Sequence, residues 1–329
     1  MTETDFATGA QDDPYGFKPT DLVVDRDGSI LISDWCDGLR PKRGRGRIYR
    51  VSYPKSAGGI SDTEVVSGES NTNKLIRQLD SDSYHHRLAA QLEIQRRGAA
   101  TIAEVVSALA AGQLEVHGRL HAIWIITRAA KAAVPDVLFR LAASDPDARV
   151  QAQAIRAIGD LTDPVLKDDR INTGRGDHHI AERIAKIARQ GDARVVLEAL
   201  IVMRRLRWSM SPEWVAGYLP AQDYALGHAA QQAIRTALNW PAVARLLDDS
   251  SHVRKIALHA VAEQRIEYLA DQLIARLQQN ENSQHRRDYV DTLARIVRKR
   301  SPGHTGGFVR PPDLQRRWTG KERPLLKNL

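Results

Sequence analysis

Two histidines, His117 and His121, are four residues apart in a segment with helical periodicity. This spacing puts both imidazoles on one side of a helix, within reach of a single metal ion. A third ligand is missing, because no glutamate directly follows His117 and no cysteine lies nearby. We therefore predict a structural role for the pair and no metal site.

Several aspartates cluster near the N-terminus, and clustered carboxylates are typical calcium ligands. Their spacing matches no calcium loop, and Asp27-Gly28 is a common hairpin turn. We interpret them as structural. The aspartates are Asp25, Asp27, Asp34 and Asp37.

Two groups of basic residues form the candidate interaction surface. The first lies in a Gly-containing loop that lacks the spacing of a nucleotide-binding P-loop. It could contact phosphates or an acidic partner, or be a solvated loop. The second directly precedes Trp208. The residues are Arg40, Lys42, Arg43, Arg45 and Arg47 in the first group and Arg204, Arg205 and Arg207 in the second.

Tryptophans lie near the ends of the predicted helices in the C-terminal half. With the second basic group, they could present cations and aromatic rings to a base or a phosphate. Alternatively, they fill the bends between helices, where a large side chain packs well. They are Trp208, Trp214, Trp240 and Trp318.

No nucleophile, base and orienting acid are brought together by the sequence, so no catalytic residue is predicted. Cys36 is the one cysteine, which excludes a disulfide or a Cys-based metal site within one chain. The net charge of +8 suits an anionic partner, although arginines are scattered along the chain. No signal peptide and no membrane span are predicted.

The segment from Asp145 to Gly159 has a pattern that recurs along most of the chain that follows. An Asp/Pro turn precedes a helix with an apolar stripe, and one such helix cannot bury its stripe alone. Stacked copies can, so the sequence predicts a mainly α protein, an α-solenoid of about seven helical pairs. The pairs are expected near 74–98, 101–128, 132–160, 178–208, 212–239, 241–266 and 269–300, with an exposed loop over 161–177.

A small antiparallel β segment precedes the helices. Leu22–Asp25 and Ile30–Trp35 flank an Asp-Gly turn, and Arg47–Tyr53 forms a third strand. Three such strands amount to roughly one blade of a β-propeller, which is not stable by itself.

The stretches Lys18–Trp35 and Gly46–Val51 resemble the last blade of the sugar (sorbosone/glucose) dehydrogenase-like propeller. With His85–Gly98 and Arg119–Trp124, they resemble the planctomycete-type membrane-bound dehydrogenase-like proteins, in which HEAT repeats and a c-type cytochrome domain follow the propeller. Asp147–Ile158 is a generic HEAT signature. From the residue pattern and this resemblance together, we predict a flexible lead at 1–16, a remnant blade at 17–55, a linker at 56–73, a HEAT-type solenoid at 74–300 and an irregular tail at 301–329.

By this resemblance, the chain is a non-catalytic scaffold from the middle of such a protein, with Trp35 in the propeller core. The family implies quinone-dependent sugar oxidation, with a quinone and heme c in regions that this chain lacks, protein domains as partners and a periplasmic location. The alternative is a free-standing basic HEAT protein that binds nucleic acid or an acidic protein. A third hypothesis is a gene fragment without a role of its own.

Arginines at repeated positions discriminate between the first two hypotheses. One exposed stripe would favour nucleic acid. Pairing with acids in the turns between helices, such as Asp147 and Asp192, would make them structural. The residues in question are Arg87, Arg119, Arg149, Arg194 and Arg254.

Overall fold

The computed structural model describes residues 17–25, 28–35, 46–52, 70–130, 134–168, 174–220, 223–249, 251–262, 264 and 266–297. The described chain is mainly helical with a small antiparallel sheet near its N-terminus, as the sequence predicts. It divides into two compact units, Met1–Ala122 and Ile123–Leu329. No helix in the described ranges is long and apolar enough to cross a membrane.

The sheet has three antiparallel strands in the order β1-β2-β3. Val24 lies opposite Ile30 across the hairpin turn at Gly28, and Ile30 also lies opposite Val51 of the third strand. Gly28 has a φ of +82°, a conformation that glycine adopts without steric cost. The strands are β1 (Pro19–Val24), β2 (Ile30–Asp34) and β3 (Arg47–Val51).

Much of the apolar surface of this sheet is exposed. Leu22, Val23 and Ile48 are 64%, 58% and 75% exposed, respectively. Trp35 is 63% exposed, so the prediction that it lies in a core is wrong for the described chain. Among the hydrophobic residues of the strands, only Ile32 is buried. A single three-stranded sheet is too small to bury the side chains on both of its faces.

Four helices follow the sheet. The first begins at Thr72, slightly before the predicted start, because the Asn71 side chain accepts a hydrogen bond from the Lys74 amide at 2.8 Å. Asp80 caps another helix, accepting from the amides of Glu115 and Gly118 at 2.9 and 2.5 Å. The helices are α1 (Thr72–Gln78), α2 (Tyr84–Arg97), α3 (Ala99–Ala110) and α4 (Val116–Ala129), the last of which crosses the boundary between the units.

The second unit contains eleven further α-helices in its described residues. Asp147, Asp177, Asp192 and Asp223 each accept a backbone N–H at a helix start, which satisfies donors that have no partner within the helix. The helices are α5 (Asp136–Ser144), α6 (Ala148–Thr162), α7 (Pro164–Asp168), α8 (His178–Ile187), α9 (Ala193–Arg205), α10 (Ser211–Tyr218), α11 (Tyr224–Ala237), α12 (Trp240–Arg245), α13 (Ser251–Ala262), α14 (Glu267–Gln279) and α15 (Ser283–Val297).

The core of this unit lies along one row of helices. The helices α6, α9, α11, α13 and α15 pack each against the next. At the α6–α9 contact, a Cβ on Gly159 would lie 2.7 Å from Val202 Cγ2, so glycine permits the close approach. The buried side chains include Ile155, Ile158, Leu200, Met203 and Ile234.

The predicted loop over 161–177 is wrong in its first part. α6 continues to Thr162, and the short helix α7 follows at once. Asp163 accepts the Val165 amide at 2.8 Å, and Pro164 takes the first helical position, where its missing N–H has no cost. Pro164 thus starts a new helix inside the predicted loop.

Candidate functional site

A half-open cleft of about 930 Å³ lies in the second unit, between α8 and α10. α8 packs on α9, and α10 packs on α9, α11 and α12. Trp214 of α10 bridges the gap by donating its indole N–H to the Ala185 carbonyl of α8 at 2.9 Å. The two helices thus form opposite walls that are fixed at one point.

The lining of the cleft combines cations with apolar and aromatic groups. Its Lys and Arg residues outnumber its carboxylates, four to two. Met210 and Trp208 line the turn that joins α9 to α10. The cations are Arg175, Lys186, Arg189 and Arg207, the carboxylates are Glu182 and Glu213, and His178, Trp214 and Tyr218 complete the polar and aromatic lining.

Arg207, in the turn between α9 and α10, has an unusual backbone conformation. Its φ is +51°, in the left-handed region that costs a non-glycine residue about 1 kcal/mol. Its amide donates to Arg204 O at 3.1 Å and the Trp208 amide donates to Met203 O at 3.0 Å, the two hydrogen bonds of a Schellman helix end. Glycine is the residue usually found at this position of a helix end. The termination of α9 therefore does not explain why an arginine stands here at the cleft.

The chain that leads into α8 forms another edge of the cleft. Gly176 donates its amide to Leu206 O at 3.0 Å, and a Cβ on it would lie 2.5 Å from Leu206 Cδ2. Arg175 donates to the Ala237 carbonyl at 3.1 Å. Both contacts fix this segment against the ends of α9 and α11.

Arg189 lies over the ring of Tyr218, with its guanidinium carbon 4.9 Å from the ring centroid. Arg189 and Tyr218 are both exposed, so their stacked surface is open to solvent. A guanidinium held by a ring retains its N–H donors for a carboxylate or a phosphate.

Two carboxylates of the cleft already have cationic partners. Glu182 forms an ion pair with Lys186 at 2.8 Å. The hydrogen bond from Lys186 lowers the pKa of Glu182. Glu213 pairs with Arg245 at 3.0 Å. Arg175, Arg189 and Arg207 add further positive charge to the lining of the cleft.

The second predicted basic group is divided by the structure. Arg205 is bound to Asp160 and Asp163 at 2.7 Å each, which ties the end of α9 to the end of α6. Burial lowers the pKa of Arg205, but these hydrogen bonds outweigh burial and leave the pKa raised. Arg204 is exposed and does not line the cleft. Arg207 is therefore the only residue of this predicted group that lines the cleft.

Most of the first predicted basic group lies outside the described residues. This applies to Arg40, Lys42, Arg43 and Arg45. Arg47 is described, and its guanidinium donates to the Tyr49 hydroxyl at 2.8 Å on the sheet.

The other candidate residues from the sequence have structural contacts. His121 Nδ1 is 2.7 Å from Gln91 Oε1, and burial, with smaller effects of Arg87 and His117, lowers the pKa of His121. Asp34 accepts the Lys18 amide at 2.7 Å, and Asp25 pairs with Arg50 at 2.6 Å. Within the described ranges, no three His, Cys, Asp or Glu side chains are grouped as metal ligands. Asp27, Asp37 and Trp318 lie outside those ranges.

The arginines at repeated positions mostly contact the chain around them. Arg87 donates to Ser81 O and Asp82 O at 2.6 and 2.9 Å, and Arg119 donates to Leu114 O at 3.0 Å. Arg149 pairs with Asp147, and Arg254 pairs with Asp288. Arg194 is exposed. These contacts favour a structural role for four of the five.

Sequence reasoning missed Arg175, Lys186 and Arg189. They come from a loop, a helix and a helix end that are separate in sequence, so no local cluster marks them. The signal that was available is the tryptophan pair Trp208 and Trp214, six residues apart around a turn.

Comparison of the chain with protein-family models finds no match, and a search of curated proteins finds no significant similarity.

Proposed function

We propose that this chain is a non-catalytic interaction scaffold, built as a HEAT-type α-solenoid of seven helical pairs. The observation that carries the proposal is the row α6–α9–α11–α13–α15, in which each helix packs on the next. The members of this row are not neighbours in sequence, and from α9 onward they are alternate helices, as in the stacked units of repeat proteins. Such a protein offers extended surface for partners.

A recurring side-chain contact supports the repeat interpretation. In α2, α4, α6 and α15 the fourth residue donates to a carbonyl of the turn just before the helix. This residue is Arg87, Arg119, Gln151 or Arg286, with donor–acceptor distances to Ser81, Leu114, Asp145 and Asn280 of 2.6, 3.0, 2.7 and 3.2 Å. We call these four residues the turn-binding residues. Equivalent positions that perform one local task are the expectation for repeated units.

The family resemblance assigns this scaffold a place between an oxidising propeller and a heme domain. The exposed apolar side chains of the sheet, Leu22, Val23 and Ile48, suit a blade that packs against further strands. Covalent heme attachment needs a Cys-x-x-Cys-His segment, and this chain has one cysteine. The quinone and the heme c therefore belong to other regions in this proposal.

An oxidation assay tests the non-catalytic role. The purified chain, supplied with a soluble quinone and a panel of aldoses, should reduce the quinone no faster than buffer does. Sustained quinone reduction that depends on both the sugar and the chain would contradict the proposal.

The DNA that flanks the coding region tests the family assignment. We expect propeller-type strands upstream and a Cys-x-x-Cys-His segment downstream. Unrelated genes on both sides would remove the support for this family. The scaffold proposal would then rest on the helical structure alone.

The cationic cleft favours a second candidate, a free-standing scaffold that binds an anionic partner. Nucleic acid and an acidic protein are the two partner classes that suit the charge of +8. Gel retardation at low salt tests the first, because phosphate contacts are strongest there. Absence of any retardation would exclude nucleic acid.

A further inference from the structure

We infer that the cleft between α8 and α10 binds an acidic, extended segment of a partner protein. This inference rests on the proposed role of the chain as an interaction scaffold. A cleft of about 930 Å³ is sized for a short peptide stretch or a drug-sized ligand and is open along one side. Four cations against two carboxylates complement glutamate or aspartate side chains.

The arrangement of the lining separates two tasks. Arg189 is the donor for carboxylates, since its exposed guanidinium fork matches a carboxylate with two parallel hydrogen bonds, and Arg207 adds positive charge to the same cleft. Trp208 and Met210, at the turn between the walls, provide an apolar surface for a neighbouring side chain. Aromatic and arginine side chains are the groups that contribute most binding energy at protein interfaces.

Nucleic acid fits these observations less well than a peptide does. A nucleic acid strand needs cations along its phosphates over several helices. In this chain Arg87, Arg119 and Arg286 are directed into the turns before their own helices, and Arg205 and Arg254 pair with aspartates. These five arginines are therefore directed to contacts within the chain, whereas the cleft groups cations from a loop, a helix end and a turn in one place.

The backbone of Arg207 allows a variant in which binding and stability change in opposite directions. Arg207→Gly removes the cation and relieves the left-handed conformation, so we expect unchanged or slightly higher stability. Leu238 is the matched control, because its φ is +53° at the end of α11, it is 55% exposed and it lies outside the cleft. Leu238→Gly should change stability in the same direction and leave binding unchanged.

The test is calorimetric titration of the full chain with a capped peptide in which glutamates flank one phenylalanine. We expect saturable binding at low salt that weakens as salt screens the charges. Arg207→Gly and, independently, Arg189→Gln should each weaken it about tenfold, the effect of losing one charge-assisted contact. Leu238→Gly should bind like the unmodified chain.

Any one of three results in this titration would overturn the inference. These are no binding of the glutamate peptide at low salt, equal binding of a glutamine version, and affinity that Arg207→Gly and Arg189→Gln leave unchanged. Tighter binding of single-stranded oligothymidylate, lost in Arg207→Gly, would assign the cleft to nucleic acid instead. Unfolding of truncated chains tests the scaffold itself without a ligand, so failure of the inference is distinguishable from failure of the proposed function.

Discussion

At the scale of single residues, the pair Arg254–Asp288 is the clearest case of a buried cation that depends on one partner. Arg254 is 4% exposed and donates to Asp288 at 2.6 Å, with its guanidinium carbon 5.0 Å from the Tyr289 ring centroid. Removing one member of such a pair leaves the other charge buried without compensation.

We therefore predict that Asp288→Asn lowers the free energy of unfolding by about 2–3 kcal/mol, because Arg254 keeps its charge and loses its counter-ion. Urea denaturation followed by circular dichroism measures it. Arg96→Ala is the control, since Arg96 is exposed and its contact with Glu93 should be worth less than about 1 kcal/mol. Equal losses in the two variants would contradict the prediction.

The same pair gives a pH dependence. Burial raises the pKa of Asp288, but hydrogen bonds from Arg254 and Gln284 outweigh burial, so the pKa lies below the ordinary value of 3.8. The stabilisation is therefore complete above pH 3.8 and is lost as the pH falls through the lowered pKa. The difference in unfolding free energy between the unmodified chain and Asp288→Asn should narrow on acidification below that pH. If this difference stays constant down to the pH at which the chain unfolds in acid, the pKa of Asp288 is the same in the folded and unfolded states. That result would contradict the prediction.

At the scale of elements, the turn-binding residues hold four helices, α2, α4, α6 and α15, to the turns before them. They do so with a side chain that reaches backward along the helix, the direction in which helical Cβ atoms point. Arg119→Ala leaves the Leu114 carbonyl without this donor, and we predict a loss of about 1–2 kcal/mol in the free energy of unfolding.

Gln151→Ala should cost about 1 kcal/mol or less for the same reason, because its donor is neutral. Arg156, exposed on α6, is the control, and Arg156→Ala should change stability by less than about 0.5 kcal/mol. Denaturant titration of the three variants gives the order. A cost at Arg156 equal to that at Arg119 would exclude a specific role for the turn-binding residues.

The helices could be predicted from the sequence because apolar spacing and Asp or Asn caps are local signals. Asp147 and the stripe from Val150 to Ile158 show both in one segment. The Asp80 cap on α4 could not be predicted, because its amide partners are 35 and 38 residues away in sequence. The cleft could not be predicted either, since Arg175, Arg189 and Arg207 meet only after α8 and α10 are placed.

At the scale of the whole molecule, the stability of a repeat protein is approximately the sum of the stabilities of its units and of their contacts with neighbouring units. α15 packs on α13, and α14 packs on α12, where Arg276 binds Asp248 and the Ala244 carbonyl, so the last pair is bound to the rest through the pair before it. Removal of that pair should leave the preceding helices folded. A chain with one indivisible core would behave differently, because loss of any element would expose that core.

The most direct measurement is urea unfolding of the full chain and of chains that end at Ile266 and at Asn239, which lack the last pair and the last two pairs. We predict that both remain helical, with the denaturant dependence of the unfolding free energy falling by about one seventh for each pair removed. Loss of helical circular dichroism in the chain that ends at Ile266 would contradict the repeat scaffold, whatever its cleft binds.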